Sequence, residues 1–263
     1  MSLLNVISGL LLIMLASACS GHRNESELDT APLAFTGQFR VIPGEVLRYR
    51  ASMGPFRLGD LKISVSESPD SLDGRPVWRI RADGSSANGL SWISVVEHHW
   101  ESLIDTANGI SMRTIREARE NKYRVKQNVR YFPDSNLVVS QNLKNGQVRR
   151  YASRPGSMQD LINLMWKFRY TDFGRCKSGD TLRYAGFHDG EWLSFRVCLA
   201  GKKMLGKGKN KRETYELYPV GLATSFLRGE NPARIWIETA DARRPVMAKL
   251  ETYFGNFRVD LQE

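Results

Sequence analysis

The chain has 263 residues, 41% of them apolar and 10% aromatic, a composition that excludes a disordered or low-complexity protein. Its formal net charge is +10, and residues 1–19 contain no Asp, Glu, Lys, Arg or His, so the whole excess sits on the remainder and favours anionic partners without bearing on fold. Neither C-x-x-C spacing nor a histidine-rich tract is present among the three cysteines and four histidines, which excludes a zinc ribbon and a thioredoxin-type redox motif.

In chain order, VISGLLLIMLA, Val6 to Ala16, is apolar but too short to span a bilayer, and Ala16-Ser17-Ala18 follows as the small-residue pattern of a signal cleavage site. The next residue is Cys19, so LASAC resembles the lipobox of bacterial lipoproteins, in which the cysteine is acylated and becomes the new N-terminus. Residues 1–18 are therefore expected to be a signal peptide and residues 19–34 a lipidated cysteine with a polar, unpatterned tether. Plain secretion would cut the same bond, and an uncleaved anchor is the remaining reading. By resemblance to lipoprotein sorting, Ser20 after the cysteine favours the periplasmic face of the outer membrane.

Residues 35–263 are expected to form one β-rich domain. EVLRYRAS sets Leu47, Tyr49 and Ala51 opposite Arg48 and Arg50, and VWRIRA sets Trp78 and Ile80 opposite Arg79 and Arg81. KYRVKQNVRY sets Tyr123, Val125, Val129 and Tyr131 opposite Lys122, Arg124, Lys126 and Arg130, and FRVDL repeats the pattern near the end. Period two of this kind marks half-buried antiparallel strands. Asp73-Gly74, Asp83-Gly84, Asn88-Gly89, Asn108-Gly109, Asn145-Gly146 and Asp189-Gly190 supply turn signals between them.

One segment breaks the alternation. In SMQDLINLMWKFRY, Leu161, Leu164, Met165 and Phe168 fall at i, i+3, i+4 and i+7 behind a Ser157 and Asp160 capping pair, which predicts a helix. The expected fold is all-β: a strongly curved antiparallel sheet or open barrel with one inserted helix.

GKKMLGKG, Gly201 to Gly208, imitates a phosphate-binding loop but has Gly208 where the magnesium-holding hydroxyl belongs, and the next segment reads as a strand. GSSANG lacks the spacing of a nucleophile elbow. EHHWE divides His98 and His99 between opposite faces of a strand, so no convergent metal site results, and no cofactor is expected.

Candidate anion-binding residues are Lys122, Arg124, Lys126 and Arg130, with a basic loop of Lys202, Lys203, Lys207, Lys209, Lys211 and Arg212 as a second contact. A solvated strand face that resists edge-to-edge pairing is the plain alternative. An oxidising address favours a disulfide between Cys176 and Cys198, against two buried free thiols. Register about Asp189-Gly190 sets Cys198 nearer Thr181, so that bond requires a bend or bulge near Gly179.

Several stretches, taken in order, resemble a bacterial exported family, domain of unknown function 3108. They are Gly44-Glu45 before Leu47 and Tyr49 with Gly59 beyond, Asp105 and Glu117 in the middle, the helix trailing into Arg169, the Gly179 to Thr181 hairpin, and Asp241, Arg244 and Pro245 at the closing turn. The resemblance implies an exported β-rich domain with one helix, and supplies no reaction.

The function expected from address and charge is a non-enzymatic envelope lipoprotein, held to the membrane by its lipid anchor. It would bind an anionic or amphiphilic partner: lipid, lipopolysaccharide, polysaccharide or another envelope protein, but not nucleic acid. An enzyme acting on envelope glycans through paired carboxylates, and a structural subunit docking through its basic face, are the alternatives.

Overall fold

The structure, a computed structural model, describes residues 39–87, 95–153, 156–206, 208–220, 227–229, 231–253 and 255–262. The expectations for the signal segment, Cys19, the tether, the Asn88-Gly89 turn, Lys207 and the Lys209 side chain lie outside the described residues.

The strands are β1 (Val46–Met53), β2 (Phe56–Val65), β3 (Asp70–Leu72), β4 (Arg75–Ser86), β5 (Val96–Asp105), β6 (Ser111–Glu120), β7 (Tyr123–Phe132), β8 (Leu137–Asn142) and β9 (Val148–Ala152). Then come helix α1 (Leu161–Tyr170), β10 (Thr181–His188), β11 (Glu191–Leu205), β12 (Arg212–Val220), β13 (Ala233–Glu238), β14 (Pro245–Thr252) and β15 (Gly255–Gln262).

All pair antiparallel in one sheet, in the order β10-β11-β12-β13-β14-β15-β1-β2-β4-β5-β6-β7-β8-β9, with β3 beside β4. Because β1 pairs with β15, the two halves of the meander join at the chain's beginning and end. The free edges are then β9 and β10, neighbours in sequence separated by α1. The sheet is curved and unclosed as expected, and the helix fills the space it curves around.

That helix is enclosed on nearly every side, which is why its stripe is backed by further buried residues. Leu161, Leu164, Met165, Trp166 and Phe168 share one core with Tyr49, Ile63, Ile80, Tyr184, Phe195, Leu217 and Phe257. Each such side chain contributes about 1.5–3 kcal/mol on burial. Its N-cap is Asp160, whose carboxylate accepts from Asn163 N, so the helix starts three residues beyond the Ser157 of the expected capping pair. Gly186 of β10 permits this packing: a Cβ there would lie 2.6 Å from Leu164 Cδ1 and 2.7 Å from the Gln159 carbonyl oxygen.

Asp73-Gly74 and Asp189-Gly190 turn as expected, with positive φ at both residues of each pair. Asp83-Gly84 does not turn. It continues β4, where Asp83 and Gly84 pair with His99 and His98 of β5. The paired strands on both flanks outweigh the local turn signal there.

The disulfide is not formed: Cys176 and Cys198 are free. Thr181 pairs directly with Cys198 in an unbroken β10–β11 register, and although the chain turns at Gly179, where Asp180 N donates to the Lys177 carbonyl, that turn does not bring Cys176 to Cys198. Leu193, Phe195, Val197 and Leu199 of β11 point into the core and Cys198 points away, beside Tyr218, its partner on β12. Cys176 packs on the inner side against the core, so the two thiols lie across the sheet from each other.

Antiparallel pairing gives the body two ends. The proximal end receives the chain at Phe39, which packs on Gly109 in the β5–β6 connection, and also carries the β7–β8 and β11–β12 connections. The distal end carries the β1–β2, β6–β7, β8–β9, β10–β11 and β14–β15 turns.

Candidate functional site: a seam cleft and the distal rim

Cross-strand pairing puts Trp100 of β5, Arg116 of β6 and Gln127 of β7 in one row, and Ser102, Thr114 and Val129 in the next. Both rows face α1 and, across the seam, the end of edge strand β10. Trp100, Thr114, Arg116, Gln127, Val129 and His188 are among the walls of a cleft there, which encloses roughly 310 Å³ of non-atom space including its open mouth.

Charge in the cleft is divided by depth. Asp160 is deep and fully engaged: its carboxylate accepts from Ser102 Oγ at 2.5 Å, Thr114 Oγ1 at 2.8 Å and Asn163 N at 2.9 Å. Burial raises its pKa while these hydrogen bonds pull it back. One row outward, Arg116 is 12% exposed and forms an ion pair with Asp189, Nη1 to Oδ1 at 3.7 Å, too long for a hydrogen bond. Its guanidinium sits 5.1 Å from the Trp100 ring centroid, and His188 stacks on that ring at 5.4 Å. Arg116 Nε and Nη1 and Trp100 Nε1 are buried with no hydrogen-bond partner among the described residues. His188 is pushed down to about 4 by burial, with Arg116 adding to the shift, so it is neutral at pH 7.

A second buried charge cluster lies where α1 ends. Arg169 is fully buried and donates to both Glu45 oxygens, at 2.6 and 2.9 Å, and to the Ala242 carbonyl at 2.7 Å. Glu238 accepts two hydrogen bonds from Arg244, at 2.9 and 3.1 Å. Tyr49, buried between these groups, has its pKa raised, chiefly by burial. The fold thus gathers Glu45, Tyr49, Arg169 and Arg244 from distant parts of the sequence into one tie between α1, the start of β1 and the β13–β14 turn.

The sequence-predicted cations do not form one surface. The β6–β7 turn holding Lys122 stands at the distal end, with Arg124 next to it. Arg124 donates to the carbonyls of Asn121 and Tyr123. Lys126 pairs with Glu117 at 2.8 Å, and Arg130 pairs with Asp73. Lys202 and Lys203 are not in a loop: β11 continues through them to the proximal end, where they pair with Glu213 at 3.1 Å and Glu216 at 3.6 Å. Arg212 pairs with Glu238 at 3.2 Å, and Lys211 is exposed. Lys122 and Arg124 stand at the distal end, Arg130 lies near the proximal end of β7, and Lys202 and Lys203 lie at the proximal end of β11, so the candidates are spread along the height of the sheet.

Alternation did not show that the distal end also collects aromatic side chains. Phe56, Tyr123 and Tyr253 are 65%, 51% and 68% exposed on three different turns, with Leu143 and Val148 on a fourth. Lys122, Arg124, Lys144 and Arg228 stand among them with no carboxylate partner among the described residues. Several carboxylates of that end are already engaged: Asp60 with Arg57, Glu97 with Arg119 and Glu120 with His98. Among the described residues, no group of His, Cys, Asp and Glu could hold a metal ion.

An open, strongly curved antiparallel sheet wrapped around a buried helix defines a β-barrel-like protein. Residues 48–262 match the family described as protein of unknown function (DUF3108), and the chain belongs to it. Among solved structures it is similar to the crystal structure of a β-barrel-like protein of domain of unknown function DUF1849 from Brucella abortus, at 10% identity and a TM-score of 0.54. That alignment covers 86% of this chain and 98% of the other. At so low an identity the likeness is one of fold. No curated protein matches the chain.

Proposed function

We propose that the protein is a non-enzymatic cell-envelope lipoprotein whose distal rim binds an anionic, amphiphilic surface, with anionic lipid as the partner. The observation that carries this reading is the meeting of exposed aromatic side chains with unpaired cations on separate turns at one end. Aromatic rings settle at the headgroup level of a bilayer, and each Lys or Arg near an anionic surface contributes about 1 kcal/mol.

Anchoring at Cys19 is compatible with this orientation. Fully extended at about 3.3–3.6 Å per residue, a chain as long as Cys19 to Phe39 has a maximum reach above the roughly 33 Å length of a ten-residue strand such as β5. The rim can therefore address either the membrane that holds the anchor or a surface opposite it.

The test uses the mature chain with Cys19→Ser, so that no acyl chain contributes. It should float with vesicles containing phosphatidylglycerol and stay behind with phosphatidylcholine alone, and added salt should weaken the association. Lys122→Gln, Arg124→Gln and Lys144→Gln together should cost roughly a hundredfold in binding, whereas Lys202→Gln with Lys203→Gln at the proximal end should cost little. Equal flotation with both vesicle types would refute the reading.

A further inference from the structure

We propose that the seam cleft is a binding site for a single phosphate group, held by the Arg116 guanidinium and the Trp100 indole N–H.

The donors are present and make no hydrogen bond among the described residues. Arg116 Nε and Nη1 and Trp100 Nε1 are buried, and a buried donor left unpaired is costly. Contact with the Trp100 ring orients the guanidinium, and its unpaired Nε and Nη1 point from opposite sides of the group, so one of them meets an oxyanion oxygen while the charge attracts the anion as a whole. Of the two carboxylates in the same cleft, one is occupied and the other is a screened competitor. Asp160 has its oxygens bonded to Ser102, Thr114 and Asn163 one row deeper, and Asp189, the ion-pair partner of Arg116 at 3.7 Å, is half-exposed and makes no hydrogen bond to it. Neutral His188 can donate from one ring nitrogen without adding a competing charge.

Size limits the ligand. The enclosed part of the cleft, without its open mouth, measures ≈ 20 Å³, room for about one water-sized group and far below what an acyl chain or a sugar would fill. A phosphate at the mouth, with one oxygen entering, stays within that limit. Such a group can come from free phosphate or from a lipid headgroup reaching the seam from the adjoining rim. Because the site is tested with dissolved ligand, it stands or falls separately from membrane docking.

The experiment is titration of the full mature chain with inorganic phosphate and, in parallel, with glycerol 3-phosphate. It follows the Trp100 indole N–H resonance, identified among the six tryptophans by its loss in Trp100→Phe. Saturable movement of that resonance is expected, with Arg116→Gln weakening binding at least tenfold while its far-ultraviolet circular dichroism is unchanged. Tighter binding of glycerol 3-phosphate would identify a headgroup as the source, and tighter binding of inorganic phosphate a free ion. If Arg116→Gln fails to fold, the parent decides alone: saturation at the Trp100 resonance in chloride-matched buffer supports the site. No saturable change at about 50 mM of either ligand, well above the millimolar range of weak sites, would overturn it, as would undiminished binding by folded Arg116→Gln.

Discussion

Burying the Arg169 guanidinium costs several kcal/mol before any partner is counted, and the cost is met by a two-pronged contact with Glu45 and by the Ala242 carbonyl. Arg169→Met would leave the Glu45 carboxylate buried and alone, so unfolding in urea should show a loss of about 3–5 kcal/mol. Adding Glu45→Leu should recover part of it, because the orphaned charge goes too. A loss under about 1 kcal/mol for Arg169→Met would mean that the pair is no structural tie. The sequence could mark Glu45 and Arg169 through their family pattern, but a pairing across 124 positions is a property of the folded sheet. Arg116 was harder still. In SMRTIREARE polar residues fall on both faces of the strand, so alternation does not say which face is buried, and only pairing with Trp100 and Gln127 turns Arg116 inward.

At the scale of elements, the hairpins and the helix were legible because hydrophobic period and turn chemistry agree over most of the chain. They diverged at Asp83-Gly84, where flanking strands overrode a turn signal, and along β11, which carries Lys202 and Lys203 in paired strand. Helix enclosure has a consequence for pH. Burial lowers the Lys167 pKa from 10.5 to about 8, so between those values the unfolded chain holds a proton that the folded chain has released. Stability therefore rises with pH across this window, and below about pH 8 the folded state bears the full cost of a buried ammonium. The buried tyrosines Tyr49 and Tyr184 work in the opposite sense above their ordinary range, since burial keeps them neutral in the fold. The comparison should accordingly be read between pH 8 and 10. Lys167→Met should be more stable than the parent at pH 7 by roughly 1–3 kcal/mol, with the gap narrowing towards pH 10. A constant gap across that range would show that Lys167 keeps an ordinary pKa.

Across the whole molecule, the net charge of +10 is spread over two ends that differ in character. Proximal cations such as Lys202, Lys203 and Arg212 sit beside carboxylates, whereas the distal turns hold Lys122, Arg124, Lys144 and Arg228 among exposed aromatic rings. The sequence showed both basic segments as two contacts, but not the end of the molecule at which each stands, because which hairpin tip points which way follows from the order of strands in the sheet. Depth measurement by electron paramagnetic resonance tests the rim most directly. Nitroxides would be attached at Tyr253→Cys or Met204→Cys in a Cys19→Ser, Cys176→Ser, Cys198→Ala background, with the protein on vesicles containing phosphatidylglycerol. The label at position 253, on the distal rim, should become shielded from water-borne relaxant and accessible to oxygen, while the label at 204, at the proximal end, should remain in water. Water exposure at position 253 with shielding at 204, or no difference from the vesicle-free protein at either, would contradict docking through the distal rim.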